Sequence, residues 1–238
     1  MFRNVGYLRQ GQTRDYDYTL ILPEPLASWD VWDYWERERT TSIARVMEGR
    51  PGWLVDVGVE AGWLSVAHAH TVGAARMCLV EGSAEAWPLA RTVWHANVAA
   101  APGMTVHGLA GPNPSGTVQV TVGGWPDAAH DSVVDKPSYE YLHGTHTAGV
   151  FRVDELDLDL VGGVTVDVEG AELEVIAGTV GVLERDRPTV WISVHPDLMA
   201  RDYGTSPDAL FALLHAHGYD RGRLLATDHE QHWRFEPR

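Results

Sequence analysis

The chain has 238 residues, 45% apolar and 21% charged, which is enough for one large domain with a substantial core. Its 33 acidic and 18 basic residues give a formal net charge of −15, which disfavours nucleic acid and anionic membranes and leaves a small neutral or cationic molecule as the expected partner. No apolar run approaches the roughly 18 residues that span a bilayer, the first residues lack the apolar stretch of a signal peptide, and the single cysteine, Cys78, excludes a disulfide within one chain, so a cytoplasmic protein is expected.

Residues 1–27 are expected to be irregular apart from a short strand over 19–22, ended by Pro23 and Pro25. A helix is predicted over 28–47, with Asp30, Glu36 and Glu38 in its early part and a break at Gly49 and Gly52. Residues 1–50 thus form an extension, and 51–238 the main domain. An apolar strand follows over 53–57, then a helix over 62–73, a strand over 76–80 and a helix over 84–99, where Trp87, Ala90, Trp94 and Val98 recur at near-helical spacing. A third strand is predicted over 104–109.

An insertion rich in β-structure interrupts the repeat over about 110–160, with strands expected over 117–122 and 148–153. A fourth strand over 163–168, a helix over 171–185 and a fifth strand over 189–194 resume it. Ser206, Pro207 and Asp208 make a helix start, with a cap, a proline in the first turn and an acid. Residues 219–225 and 231–235 are expected to close the sheet as an antiparallel pair. The alternating order predicts an α/β fold: a mostly parallel sheet with helices on both faces, whose ligands sit beyond the carboxyl ends of the strands.

Four residues are predicted at those ends: Asp56, Glu81, Asp167 and His195. After Asp56 the chain reads Val-Gly58-Val-Glu60-Ala-Gly62, a tight turn from strand to helix. Glycine there adopts dihedrals closed to other residues, and the free amides of the helix start favour an anionic group. The spacing lacks the third glycine of the dinucleotide fingerprint, which separates it from a nicotinamide-dependent oxidoreductase. Glu81, at the tip of the second strand, is placed to accept hydrogen bonds from two ribose hydroxyls. Turn and carboxylate together point to an adenosyl cofactor.

Further on, Thr165-Val-Asp167-Val-Glu169-Gly170-Ala171-Glu172 follows a strand-then-helix pattern, and a later strand ends Ser193-Val-His195. With these strings the chain resembles the FkbM family of S-adenosylmethionine-dependent methyltransferases over about residues 50–220. That family has a D-V-G-A-N-x-G turn, an acidic end to the second strand, a K-I-D-V-E-G-A-E segment and a later E-V-H. Here Glu60 stands for the Asn, Gly82 for the proline after the acidic residue, and Thr165 for the Lys. The resemblance implies a class I methyltransferase fold and S-adenosylmethionine held by Asp56, Gly58, Glu60, Gly62, Glu81, Gly82 and Asp167.

Methyl transfer to a hydroxyl requires alignment of acceptor, methyl and sulfur, and removal of a proton. His195 is suited to be the base, with a pKa expected near neutrality, and Asp167 and Glu169 to position the acceptor or assist His195. Glu172 and Glu174 are read as dipole partners in the first turn of a helix. Asp167, Glu169 and His195 are a donor set tolerable for magnesium or manganese, but no tight ligand spacing supports one, and the expected site holds no metal. Trp29, Trp32, Trp125, Tyr139 and Tyr141 are expected to wall the acceptor, and His143 and His146 to face solvent or substrate. The expected activity is O-methylation of a small natural product or glycan. The alternative is a non-catalytic protein that keeps the cofactor fold.

Overall fold

The structure, a computed structural model, describes residues 2–7, 18–28, 36–126, 148–228 and 230–238. Strand β1 (Phe2–Tyr7) pairs antiparallel with β2 (Tyr18–Pro23), so the first residues, expected to be irregular, form a ladder. Helix α1 (Glu24–Ala27) follows, and α2 (Arg37–Met47) is the later part of the helix expected over 28–47. Residues 29–35, with Trp29 and Trp32, and residues 127–147, with Tyr139, Tyr141, His143 and His146, lie outside the described residues.

The repeat then runs β3 (Trp53–Val57), α3 (Trp63–Val72), β4 (Met77–Glu81), α4 (Ala86–Asn97) and β5 (Met104–His107). After the short strand β6 (Leu109–Ala110), β7 (Gln119–Val122) returns antiparallel to β5, and β8 (Val150–Phe151) pairs with β6. The remaining elements are β9 (Val161–Val166), α5 (Glu172–Ala177), α6 (Val180–Asp186), β10 (Thr189–Val194), α7 (Pro196–Leu198), α8 (Pro207–Ala216), β11 (Arg223–Thr227) and β12 (Gln231–Phe235). The single helix expected over 171–185 is two. The chain breaks at Gly178, where a Cβ would lie 2.5 Å from the Gly111 carbonyl oxygen.

Eight strands form one sheet in the order β11-β12-β10-β9-β3-β4-β5-β7. Strands β3, β4, β5, β9 and β10 are parallel, while β7 and β12 run against their neighbours β5 and β10. The order reverses between β3 and β9, which is where a doubly wound sheet opens a crevice. Strand alternation divides the core in two. Leu54, Leu79 and Trp191 pack with Ile43, Val66 and Trp94 under α2, α3 and α4. Val55, Val80 and Ile192 pack with Val175, Leu183 and Leu214 under α5, α6 and α8. Asn97 fastens the first strands to this body, accepting from Ile21 N–H (2.7 Å) and donating to Ile21 C=O (2.9 Å).

Strands β3 and β9 end side by side. Asp167 N–H donates to Val57 C=O at 2.9 Å, and Gly58, at φ +90°, lies so close that a Cβ there would be 1.6 Å from the Asp167 carbonyl oxygen. Replacement Gly58→Ala must shift both turns as well as force a left-handed backbone. It is expected to cost about 2–5 kcal/mol in urea denaturation, and an unchanged midpoint would mean that the contact does not matter.

Candidate functional site

The turn after β3 is fixed from three sides. Gly58 and Val59 donate to the Val80 carbonyl (2.9 and 3.3 Å). Glu60, left-handed at φ 49°, donates its N–H to Glu81 Oε2 at 2.8 Å. Gly62, at φ +79°, begins α3 so close to α4 that a Cβ would meet Ala90 at 3.2 Å. The other Glu81 oxygen accepts from Ser83 N–H at 2.7 Å. Buried Glu81 therefore ties the turn after β3 to the turn after β4.

Asp56 lies inside β3 instead of at its tip. Alternation turns it under α3, where its Oδ2 accepts from Ser65 Oγ (2.7 Å) and is 3.5 Å from His68 Nδ1. Of the residues expected to hold the cofactor, Gly58, Glu60, Gly62, Glu81, Gly82 and Asp167 come together around the ends of β3, β4 and β9. The Asp56 carboxylate is instead engaged below the turn. Gly58 and Gly82, with Val57, Val80, Gly108 and Val168, line an apolar cleft.

Beside the cleft is a cluster of charge. Asp167 follows β9, Glu169 (φ 53°) and Gly170 (φ +106°) make the turn, and Glu172 opens α5. His195 follows β10. Its Nδ1 is 2.7 Å from Glu172 Oε1, which also accepts from Gly170 N–H (2.9 Å). Its Nε2 meets Glu230 Oε2, with Glu169 Oε2 at 3.6 Å and Asp167 Oδ1 at 3.9 Å. Arg39 of α2 contacts Glu36, lies 3.1 Å from Asp167 Oδ2 and donates to Ser193 Oγ at 2.8 Å. Ser193 Oγ is 3.1 Å from His232 Nδ1, and His232 Nε2 is 3.3 Å from Asp228 Oδ2.

Burial and the charges of Glu230 and Glu169 outweigh Arg39 and His195 at Asp167, pushing its carboxyl up to about 7. Burial, then the charges of Asp167, Glu81 and Glu169, likewise push Glu60 to about 7. Burial raises Glu36 well above the carboxylate range despite Arg39. At His195 burial alone would lower the pKa, but hydrogen bonds to Glu172 and Glu230 and the Asp167 charge prevail and push it to about 11. The expected near-neutral base is instead held as an imidazolium by the carboxylates around it. His232 goes the other way, lowered to about 4 by burial and Arg39.

Sequence reasoning brought Asp167, Glu169 and His195 together but missed Arg39, Glu230 and His232, and read Glu172 as a dipole partner. Glu172 is in the first helical turn, yet it is fully buried and bonded to His195. The signal for Glu230 and His232 was the density of ligand-type side chains over 228–232, at the turn of the closing strand pair. Thr165 leaves no charge where the family pattern has a lysine; it is buried, and the cation beside Asp167 comes from Arg39. Trp125 packs edge-on against Trp87 (6.1 Å) and Trp94 (5.9 Å) of α4 instead of walling an acceptor. Cys78 is buried and free, as an apolar side chain of β4. No helix among the described residues is long and apolar enough to cross a membrane.

The strand order, the antiparallel β12 and the glycine turn at the switch point define a class I methyltransferase fold. A family model described as the methyltransferase FkbM domain matches residues 56–221, more than half of the chain, which belongs to that family. Among solved structures, the chain is similar to an FkbM methyltransferase from Methylobacillus flagellatus KT (16% identity, 78% of this chain and 43% of that one, TM-score 0.50). This chain thus spans less than half the length of that relative. It is also similar to Trm1 from Pyrococcus horikoshii, solved with S-adenosyl-L-methionine (12% identity, 92% and 58% of the two chains, TM-score 0.48). A third is the ribosomal protein L11 methylase from Lactobacillus delbrueckii subsp. bulgaricus (14% identity, 87% and 79%, TM-score 0.47). At these identities the likeness is one of fold. No curated protein sequence matches the chain.

Two outcomes follow from the electrostatics. Arg39→Gln leaves buried Asp167 and Glu36 without their guanidinium and is expected to cost about 3–5 kcal/mol near pH 8, and less near pH 5, where the carboxyls take up protons. Equal losses at both pH values would contradict this. The folded-state pKa of Glu60 lies above its ordinary value, so its contribution to stability is present below about 4.5 and is lost as pH rises through about 7. Glu60→Gln should therefore raise stability at pH 8 by about 1–3 kcal/mol and leave it unchanged near pH 4, read from melting curves at both values.

Proposed function

We propose that the chain is an S-adenosylmethionine-dependent methyltransferase that methylates a hydroxyl of a small natural product or glycan. Family membership supports methyl transfer. The observation that carries the cofactor reading is the buried Glu81 carboxylate, tied to the Glu60 and Ser83 amides and set in the chain between Val80 and Gly82, which line an apolar cleft with Gly58. An adenosyl group suits the apolar side, and its ribose hydroxyls suit a carboxylate acceptor such as Glu81. The sulfonium and ammonium give the cofactor a net positive charge, and the edge it would meet is rich in carboxylates, Glu60 among them. Asp167, Glu169 and His195 are assigned to the acceptor side, where the charged His195 orients the hydroxyl and the carboxylates beside it take its proton. Alignment of the three reacting atoms supplies much of the acceleration in such a displacement. The formal charge of −15 favours a small acceptor over a nucleic acid, and the cytoplasm, where this cofactor is made, is the compartment expected.

A second reading, a protein that binds the cofactor without catalysis, is favoured by Glu60 and Thr165 standing where the family pattern has Asn and Lys. Calorimetry with S-adenosylhomocysteine tests the first step; no binding at millimolar ligand would overturn both readings. Glu81→Ala is expected to weaken that binding by about 1.5–3 kcal/mol, and unchanged affinity would remove the ribose role. Against an identified acceptor, His195→Ala should slow turnover by about 100-fold or more with nearly normal cofactor affinity. Cofactor binding without transfer to any of a broad panel of hydroxyl acceptors would favour the second reading.

A further inference from the structure

Three carboxylates converge on one nitrogen. His195 Nε2 contacts Glu230 Oε2, with Glu169 Oε2 at 3.6 Å and Asp167 Oδ1 at 3.9 Å. A ring nitrogen carries at most one proton and donates to one acceptor at a time, so a proton there serves one of these oxygens and leaves the others facing it at more than hydrogen-bond length. On the other side of the ring, Nδ1 is 2.7 Å from Glu172 Oε1, and that carboxylate is itself held by Gly170 N–H at 2.9 Å. A proton on Nδ1 satisfies Glu172 and turns the Nε2 lone pair towards oxygens of like charge. That arrangement needs a positive centre between them, a proton or a metal cation.

The ligand atoms of Asp167, His195 and Glu230 lie within 4.8 Å of one another, a spread that a cation with bonds of about 2.1–2.3 Å can draw together. The carboxylate behind the imidazole is independent of this convergence. A metal-bound histidine characteristically donates its far N–H to such a partner, which fixes the tautomer and the ring plane. Glu172 is fully buried, and its Oε2 has no hydrogen-bond partner, so its position is explained by the histidine it holds and not by a network of its own. Glu36, Glu230 and His232 form a second set within the same spread that shares Glu230, but its imidazole is already engaged by Ser193 and Asp228.

We propose that Asp167, His195 Nε2 and Glu230 bind one divalent cation of the manganese type, with Glu172 as the residue that positions His195. One imidazole among carboxylate oxygens suits Mn2+ better than Mg2+, which takes oxygen almost exclusively. The ion replaces the proton that otherwise sits on Nε2. On the methyl-transfer reading, on which this role alone rests, the ion lowers the pKa of an acceptor hydroxyl that meets it, and a vicinal pair of oxygens is the acceptor feature it selects.

The test uses the full chain, stripped with chelator, and Mn2+ as the only addition. Calorimetry should give saturable binding of one ion per chain. Pulsed electron paramagnetic resonance of that ion should show coupling to an imidazole nitrogen, lost in His195→Gln. Glu172→Gln is expected to weaken binding about 10- to 100-fold, whereas His217→Gln, whose imidazole pairs with Glu184 away from the site, should leave it essentially unchanged. No saturable binding by the unaltered chain, a bound ion without nitrogen coupling, or full affinity in folded Asp167→Asn and Glu230→Gln would each overturn the site. The measurements on the unaltered chain need no variant to fold. Neither cofactor nor acceptor is present, so failure here leaves the methyl-transfer reading standing, and a failed titration with S-adenosylhomocysteine leaves the ion site standing.

Discussion

The carboxyl edge of this sheet depends on a single buried guanidinium. Arg39 reaches from α2 to Glu36, Asp167 and Ser193, and so joins a helix before the first parallel strand to the turns after β9 and β10. Opposite charges about 4 Å apart attract by about 4 kcal/mol at an effective dielectric of 20, and burying them consumes much of that gain. One cation on those terms can offset one or two carboxylates. Asp167, Glu169, Glu172, Glu230, Glu36 and Asp228 all crowd the same edge, and the histidines among them divide accordingly. His195, ringed by carboxylates, is held charged, while His232, beside Arg39, is held neutral. Among the described residues that crowd this edge, carboxylates outnumber guanidinium and imidazolium groups.

The two halves of the crevice are built for different work. Around the ends of β3, β4 and β5 the lining is Val57, Gly58, Val80, Gly82 and Gly108, with side chains small or apolar enough for a flat ring to lie against bare backbone. Around the ends of β9 and β10, Val168 and Ala171 also face the cleft, but Asp167, Glu169, Glu172 and His195 gather beside it. The division falls at the switch point between β3 and β9, where Gly58 touches the Asp167 carbonyl. A ligand with an apolar aromatic end and a charged end would cross that boundary, and the alternation of β3 prepares it: Val55 and Val57 face one core while Asp56 is spent on Ser65 and the start of α3.

Much of this was legible in the sequence because parallel strands buried on both faces read as apolar runs, and the residue that ends each run marks the edge. Thus Glu81, Asp167 and His195 were located from their own strands. Asp56 is the last residue but one of β3, whose bounds match the expected strand, and in a strand one residue is the difference between the tip and the opposite face. Arg39, Glu230 and His232 were not legible in the same way. Their part in the site depends on which face an antiparallel pair and a flanking helix present. That follows from the register Ser193↔His232 across β10 and β12, a long-range pairing that no local pattern specifies. The split of α5 from α6 was missed for a similar reason, since it answers to the backbone of Gly111, far off in the chain.

Backbone conformation makes a final, independent argument that this edge is arranged for a ligand. Four described residues other than glycine have positive φ, and three are glutamates: Glu36, Glu60 and Glu169. Each left-handed position costs about 1–2 kcal/mol with a Cβ, and glycine or asparagine would relieve it. Glu36 and Glu60 are also buried, so desolvation adds to the cost at both. Residues retained only for folding would be expected to lower one penalty or the other. Glutamate at these two positions raises both, and the Asp167 charge counts among the causes that raise both carboxyls. Local strain of this kind persists where the surrounding structure over-determines it, and it clusters at ligand sites; a cation bound as proposed above would neutralise these carboxylates and brace the turns that carry them.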